Sequence, residues 1–188
     1  MVADSGQRRE LRNETAVNVA GLLKDPVGAS RSYRLLLDEM AADDVVAREI
    51  DGEVRLTRLR EGVIASVTAT GVAPLTCARC LREYEQPFAV AFDEEYRQTV
   101  DLRTGIGLES AEEDDEPLSR IDENHELDLR EPLRQEILVA LPMRPDCGEE
   151  CPGPDALAAG EGDDAEEIDD RLAALASLLG DEADEPGR

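Results

Sequence analysis

Cys77-Ala78-Arg79-Cys80 is answered, 67 positions beyond its second thiol, by Cys147-Gly148-Glu149-Glu150-Cys151. These two stretches hold all four cysteines of the 188-residue chain. A tetrahedral thiolate centre takes four sulfurs at about 2.3 Å from one metal, and pairs spaced C-x2–4-C supply two from each tight turn. Both pairs fit. The reading predicts one structural zinc on Cys77, Cys80, Cys147 and Cys151, closing a long loop. Three alternatives stand beside it. Disulfides need an oxidising compartment, and nothing in the sequence marks secretion. A redox C-x-x-C expects a strand-to-helix setting, whereas Cys77 follows one strand-like run and precedes another. Buried, unligated thiols are the third.

Outward from the first pair the pattern is β. Val63, Ala65, Val67 and Ala69 alternate with Ile64, Ser66, Thr68 and Thr70. Val54 and Leu56 precede them across Arg60-Glu61-Gly62, which reads as a hairpin. Pro74, lacking a donor, is expected to stop the second strand. Phe88, Val90 and Phe92 predict a strand leaving the cysteine turn. Earlier, Tyr33, Leu35 and Leu37 predict another. The run Ala41 to Glu49 fits a loop or a helical turn equally.

Upstream of the second pair, Leu129, Leu133, Ile137 and Leu141 fall on one face at spacing four. Asp128 is placed to cap this helix, with Glu131 closing a capping box. Pro132 sits in the tolerated first turn, and Pro142 ends the helix. His125, the one histidine, stands among Glu123, Asn124 and Glu126 and reads as solvated.

The fold class expected is α+β: a small antiparallel sheet with a packed helix, a four-cysteine zinc knuckle and a C-terminal helix. Residues 1–14 read as disordered and 15–153 as the domain. Within the domain, 101–120 is an acidic loop carrying Glu109, Glu112, Glu113, Asp114, Asp115 and Glu116. Its spacing matches no calcium loop. The remainder, 154–188, reads as an acidic linker, a short helix over Asp169 to Leu179 striped by Leu172, Leu175 and Leu179, and a tail.

Composition narrows the function. Acids outnumber bases 45 to 20, for a formal charge of −25, and aromatics make up 3% with no Trp. A core so lean in large side chains would gain from a metal staple. Such acidity disfavours a broad phosphate-binding surface and suits a basic protein partner, although it also serves solubility. Met1 to Thr15 lacks the apolar stretch of a signal peptide. No apolar run approaches the roughly 20 residues of a membrane span. A cytoplasmic location is expected.

Pro74-Leu75-Thr76-Cys77-Ala78-Arg79-Cys80-Leu81, with Phe88 and Phe92-Asp93-Glu94-Glu95-Tyr96, resembles the signature of the bacterial YceD family. So does Glu126-Leu127-Asp128-Leu129, with Glu131, Glu136 and Leu141-Pro142-Met143 ahead of Cys147. The similarity covers residues 15–153, and the tail around Asp169 to Leu179 looks like that of actinobacterial-type members. The resemblance implies a role in accumulation of large-subunit ribosomal RNA, hence a non-enzymatic factor in ribosome biogenesis or 50S assembly. Family genes commonly neighbour a large-subunit ribosomal protein gene. Many members carry a further Gly-Leu-Cys-x-x-Cys-Gly segment; here Gly153 to Ala159 has no cysteine, which leaves four thiols for one site.

The implied partner is a ribosomal protein or a pre-ribosomal large-subunit particle. Direct RNA contact through Arg55, Arg58, Arg60, Arg79 and Arg82 competes with an ordinary solvated role for these side chains. A zinc-stapled interaction adaptor unrelated to ribosomes is the alternative function. A thiol oxidoreductase lacks a nucleophile–base pair and a catalytic histidine in the sequence, and no small-molecule substrate is expected.

Overall fold

The structure, a computed structural model, describes residues 9–100, 107 and 120–154. Alternation dictates most of it. Tyr33, Leu35 and Leu37 are buried in β3 (Ser30–Ala42), Val54 and Leu56 in β4 (Val45–Arg58), Val63, Ala65, Val67 and Ala69 in β5 (Gly62–Thr76), and Phe88, Val90 and Tyr96 in β6 (Glu83–Gln98). Their neighbours Arg34, Arg55, Thr68, Thr70, Ala89, Ala91 and Asp93 face solvent. These four strands form an antiparallel meander. At one edge β1 (Arg9–Arg12) pairs parallel with β3, and at the other β7 (Arg120–Ile121) pairs parallel with β6. A separate antiparallel pair joins β2 (Ala16–Asn18) to β8 (Glu126–Asp128).

The sheet is curled, and a local defect helps bend it. The buried set steps from Leu37 to Met40 on β3 and from Ala47 to Ile50 on β4. An odd step on a period of two transfers burial to the opposite face. At this level Glu49 takes φ 53, and the β4–β5 register shifts between Arg48 and Asp51. One extra residue on β4 is a β-bulge, which bends and twists the strand.

The described residues hold two short helices, α1 (Ala20–Lys24) and α2 (Arg130–Ala140). Leu22 of α1, Leu127 of β8, and Leu129, Leu133 and Ile137 at and within α2 join the sheet's inward residues in one core. The Tyr96 hydroxyl donates to the Asp128 carbonyl at 2.8 Å, fixing the start of α2 on β6. Arg134 pairs with Glu131 and reaches Asp43, in the β3–β4 turn, at 2.7 Å.

The α+β expectation is corrected: the described residues are mostly β, six strands in one curled sheet and two in a separate pair, with two short helices. Three features enlarge the sheet. The undecided run 41–49 is strand on both sides of a tight turn at Asp43 and Asp44. Pro74 does not stop β5; it pairs with Glu85, beyond Val72, where β4 has ceased to pair. With no partner on that side, a proline can face its missing donor outward. Arg9–Arg12, inside the tail expected to be disordered, is strand β1. The capping expectation also changes. Leu129 is the N-cap residue of α2; Asp128 Oδ1 accepts from the Arg130 N–H at 2.9 Å and the Thr15 hydroxyl at 2.6 Å, while Glu131 turns to Arg134. The C-terminal helix and nearly all of the acidic loop lie outside the described residues.

Candidate metal centre

The first cysteine pair occupies the turn from β5 to β6. Thr76 and Glu83 are the last paired residues, so six residues make the turn. The Cys77 N–H donates to the Arg82 carbonyl at 2.9 Å, and the Leu81 N–H returns to the Cys77 carbonyl at 3.0 Å. Leu81, next to Cys80, takes a left-handed φ of 56.

The second pair follows α2. Asp146 Oδ1 accepts from the Gly148 N–H at 2.8 Å, the local bond by which Asp residues start turns. Gly148 has φ 93, open to glycine without steric cost. The Cys151 N–H then donates to the Gly148 carbonyl at 3.1 Å. Two cross-links hold the turns together. The Ala78 N–H donates to the Pro145 carbonyl at 2.9 Å, and Arg79 pairs with Asp146 at 3.5 Å. Sequence reading missed Asp146 and Pro145. The signal for the first was Asp146-Cys147-Gly148, an Asp-x-Gly turn former that runs into the second pair.

All four Sγ atoms lie within 4.8 Å of one another. Cys77 Sγ is 3.8 Å from Cys151 Sγ, and Cys80 Sγ is 3.6 Å from Cys147 Sγ. Four sulfurs placed tetrahedrally at about 2.3 Å from a metal stand about 3.8 Å apart, so the spacing fits a metal ion. Cys77 and Cys80 are buried; Cys147 and Cys151 are partly exposed. The backbone N–H groups of Cys80 and Arg79 draw the Cys77 thiol down to about 6, and the latter approaches its sulfur at 3.5 Å. Burial pushes the Cys147 thiol up. One thiolate is therefore favoured near neutral pH, and a cation would favour the others. His125 stands apart in the β7–β8 turn, where its carbonyl accepts from the Val19 N–H at 2.8 Å.

The five arginines do not converge. Arg55 lies on the open sheet face beside Ser30, at 3.4 Å. Arg58 folds onto the Gly62 carbonyl at 2.9 Å in the β4–β5 turn, next to Arg60. Arg79, between Cys77 and Cys80, and Arg82, two residues after Cys80, lie at the other end of β5. This scatter makes no continuous basic surface of the kind that neutralises a run of phosphates.

The family model described as "Large ribosomal RNA subunit accumulation protein YceD" matches residues 65–179, a span that encloses both cysteine turns. The chain belongs to the YceD family. Uncharacterized proteins of Mycobacterium bovis and Mycobacterium tuberculosis are 34% identical over 158 residues, covering 80% of this chain and 71% of theirs. No solved structure matches. In this YceD-family chain the matched span begins inside β5 and carries β6, α2 and all four thiols. The first three long-sheet elements (β1, β3 and β4) lie ahead of it. Among the described residues no helix is long and apolar enough to cross a membrane.

Proposed function

We propose that this protein is a cytoplasmic, non-enzymatic factor in ribosome biogenesis that supports large-subunit ribosomal RNA accumulation or 50S assembly. Membership of the YceD family, with the match enclosing the thiol centre, is the observation that carries this reading. The centre would hold zinc on Cys77, Cys80, Cys147 and Cys151. A zinc bound there supplies a structural cross-link, and four protein thiolates leave no open position for substrate. Binding rather than catalysis is then the site's use.

A ribosomal protein or pre-ribosomal large-subunit particle is the partner that suits the chemistry. The charge of −25 and the scattered arginines favour a basic protein over naked RNA. The acids at 109–116 and 161–167 would attract such a partner at long range, while the sheet supplies contact.

The test is a sucrose-gradient profile from depleted cells, paired with pull-downs at two salt concentrations. Depletion should lower the ratio of large to small subunits. Ribosomal protein should be recovered at low salt and lost at high salt, because exposed charges are screened beyond about 8 Å at physiological ionic strength. Deleting 109–116 should slow association without unfolding the chain. Normal subunit ratios, with no ribosomal protein recovered, would leave an adaptor unrelated to ribosomes.

A further inference from the structure

Among the described residues, one edge of the sheet stands open along most of a long strand. β6 pairs with β5 from Glu83 to Arg97, and its other side meets β7 at Arg97 and Gln98. Both ends fix the phase of the β5–β6 ladder: the Cys77 N–H donates to the Arg82 carbonyl, and the Gln98 N–H to the Glu61 carbonyl. In an antiparallel pair, residues that exchange such bonds alternate with residues whose N–H and C=O point away. The even-numbered residues of β6 therefore bond β5, and the odd-numbered ones turn their backbone groups to the open side. Two prolines agree. Pro74, opposite Glu85, and Pro87, opposite Val72, both sit where a donor would face away from the paired strand. Pro87 also stoppers the edge, for it has no N–H and Gln86 Nε2 donates to its carbonyl at 2.9 Å. Between Pro87 and β7 the outward groups belong to Ala89, Ala91, Asp93 and Glu95, and among the described residues no backbone partner takes them up.

The side chains of these four residues are exposed. Ala89 and Ala91 are short, and Asp93 and Glu95, with Glu83 and Glu85 earlier on the strand, give the exposed side of β6 four acids before Arg97. We infer that this edge, from Ala89 to Glu95, takes up an extended basic segment of a protein partner as an added strand. Main-chain bonds supply the affinity of such a contact, and alternate side chains its specificity. Guest residues opposite Ala89 and Ala91 stand beside short side chains, which leaves room for the stems of Lys or Arg to reach Asp93, Glu95 and Glu85. The intervening guest residues lie beside Val90 and Phe92, which belong to the core or pack against it, and are best apolar. The guest is thus a segment in which basic and apolar residues alternate. A second copy of this chain suits the edge less, because it brings the same four acids, and like charges set opposite one another are unfavourable. The other edge strand, β1, is four residues long and carries Arg9 and Arg12, so it offers a basic guest neither length nor charge. The inference deepens the ribosomal reading by naming the contact, and rests on it for the basic character of the partner.

The test uses the full zinc-loaded chain and a peptide alternating Lys and Val, about seven residues long to span the run at about 3.3 Å per residue. Amide hydrogen exchange is read residue by residue. At saturating peptide, exchange at the Ala91 and Asp93 N–H groups should slow by about tenfold or more, while Val90 and Phe92, already bonded to β5, should not change. That parity separates an added strand from charge attraction at large. Ala91→Pro removes one outward donor, as Pro87 already does, and should weaken peptide binding by about tenfold with little change in melting temperature. Asp93→Asn combined with Glu95→Gln keeps every backbone donor and should weaken binding by a similar factor at low salt. Protection without regard to parity, binding indifferent to both variants, or equal binding of a peptide with its Lys and Val in separate blocks would overturn the inference. So would slow exchange at Ala91 and Asp93 in the chain without peptide, which would assign the edge to this chain or a second copy. Failure here, with a lowered large-subunit ratio in depleted cells, would remove the edge and leave the ribosomal role standing.

Discussion

Tyr96 is the largest fully buried side chain among the described residues, and its hydroxyl makes one hydrogen bond, to the Asp128 carbonyl. Its hydroxyl meets the Asp128 carbonyl just before α2, so Tyr96→Phe leaves that oxygen unpaired. A cost of about 1–2 kcal/mol is expected, measured by denaturant unfolding. Burial, then the charges of Glu94 and Asp128, raise this phenol above its ordinary value. For a group raised in the folded state, the stabilisation is whole below the unfolded value, near 10, and is lost as pH climbs through the folded one. Alkaline stability should therefore decline more steeply in the parent than in Tyr96→Phe, read by melting temperature from pH 9 upward. Gly62 is constrained at the same end of the sheet. A Cβ there would press into the Tyr96 carbonyl oxygen, which belongs to the backbone and cannot rotate away. Gly62→Ala should cost about 1–3 kcal/mol by overpacking, on the same denaturant assay.

At the scale of elements, the β5–β6 turn and the segment after α2 meet through the Ala78–Pro145 hydrogen bond and the Arg79–Asp146 pair, and zinc on the four thiols would bind them as one unit. Cys80→Ser removes one of four ligands. It should abolish metal retention and lower the melting temperature by roughly 10 °C or more, given about 2–4 °C per kcal/mol for a chain of this size. The 142–151 segment should become a protease site. An unchanged melt and digest would mean that the four cysteines do not form one staple. These same elements show what a sequence reveals. Leu129, Leu133 and Ile137 announced α2 by their spacing of four, and the β4–β5 hairpin was readable from alternation on either side of Arg60-Glu61-Gly62. The thiol cluster was readable from ligand spacing alone. What escaped depends on neighbours. The phase change at Glu49 hid β3 and β4 around residues 41–49, since a bulge breaks the alternation that marks a strand. Pro74 misled because its cost depends on which side of β5 lacks a partner. Strand β1 has one apolar residue, the buried Leu11, too few to show a pattern of its own, and is held by its place beside β3.

For the molecule as a whole, the long curled sheet has few aromatic side chains to close its core, and the four-thiol cluster lies where the β5–β6 turn meets the chain leaving α2. Coupling of zinc binding to folding, worth on the order of 10 kcal/mol in small domains, would make that junction a large share of the net stability. Thiolates must lose protons to bind, so metal retention should weaken as pH falls. The most direct measurement is elemental analysis of the reduced, untagged protein with X-ray absorption at the zinc edge. The expected result is about one zinc per chain, bound by four sulfurs at about 2.3 Å. A fully folded, metal-free chain would contradict it.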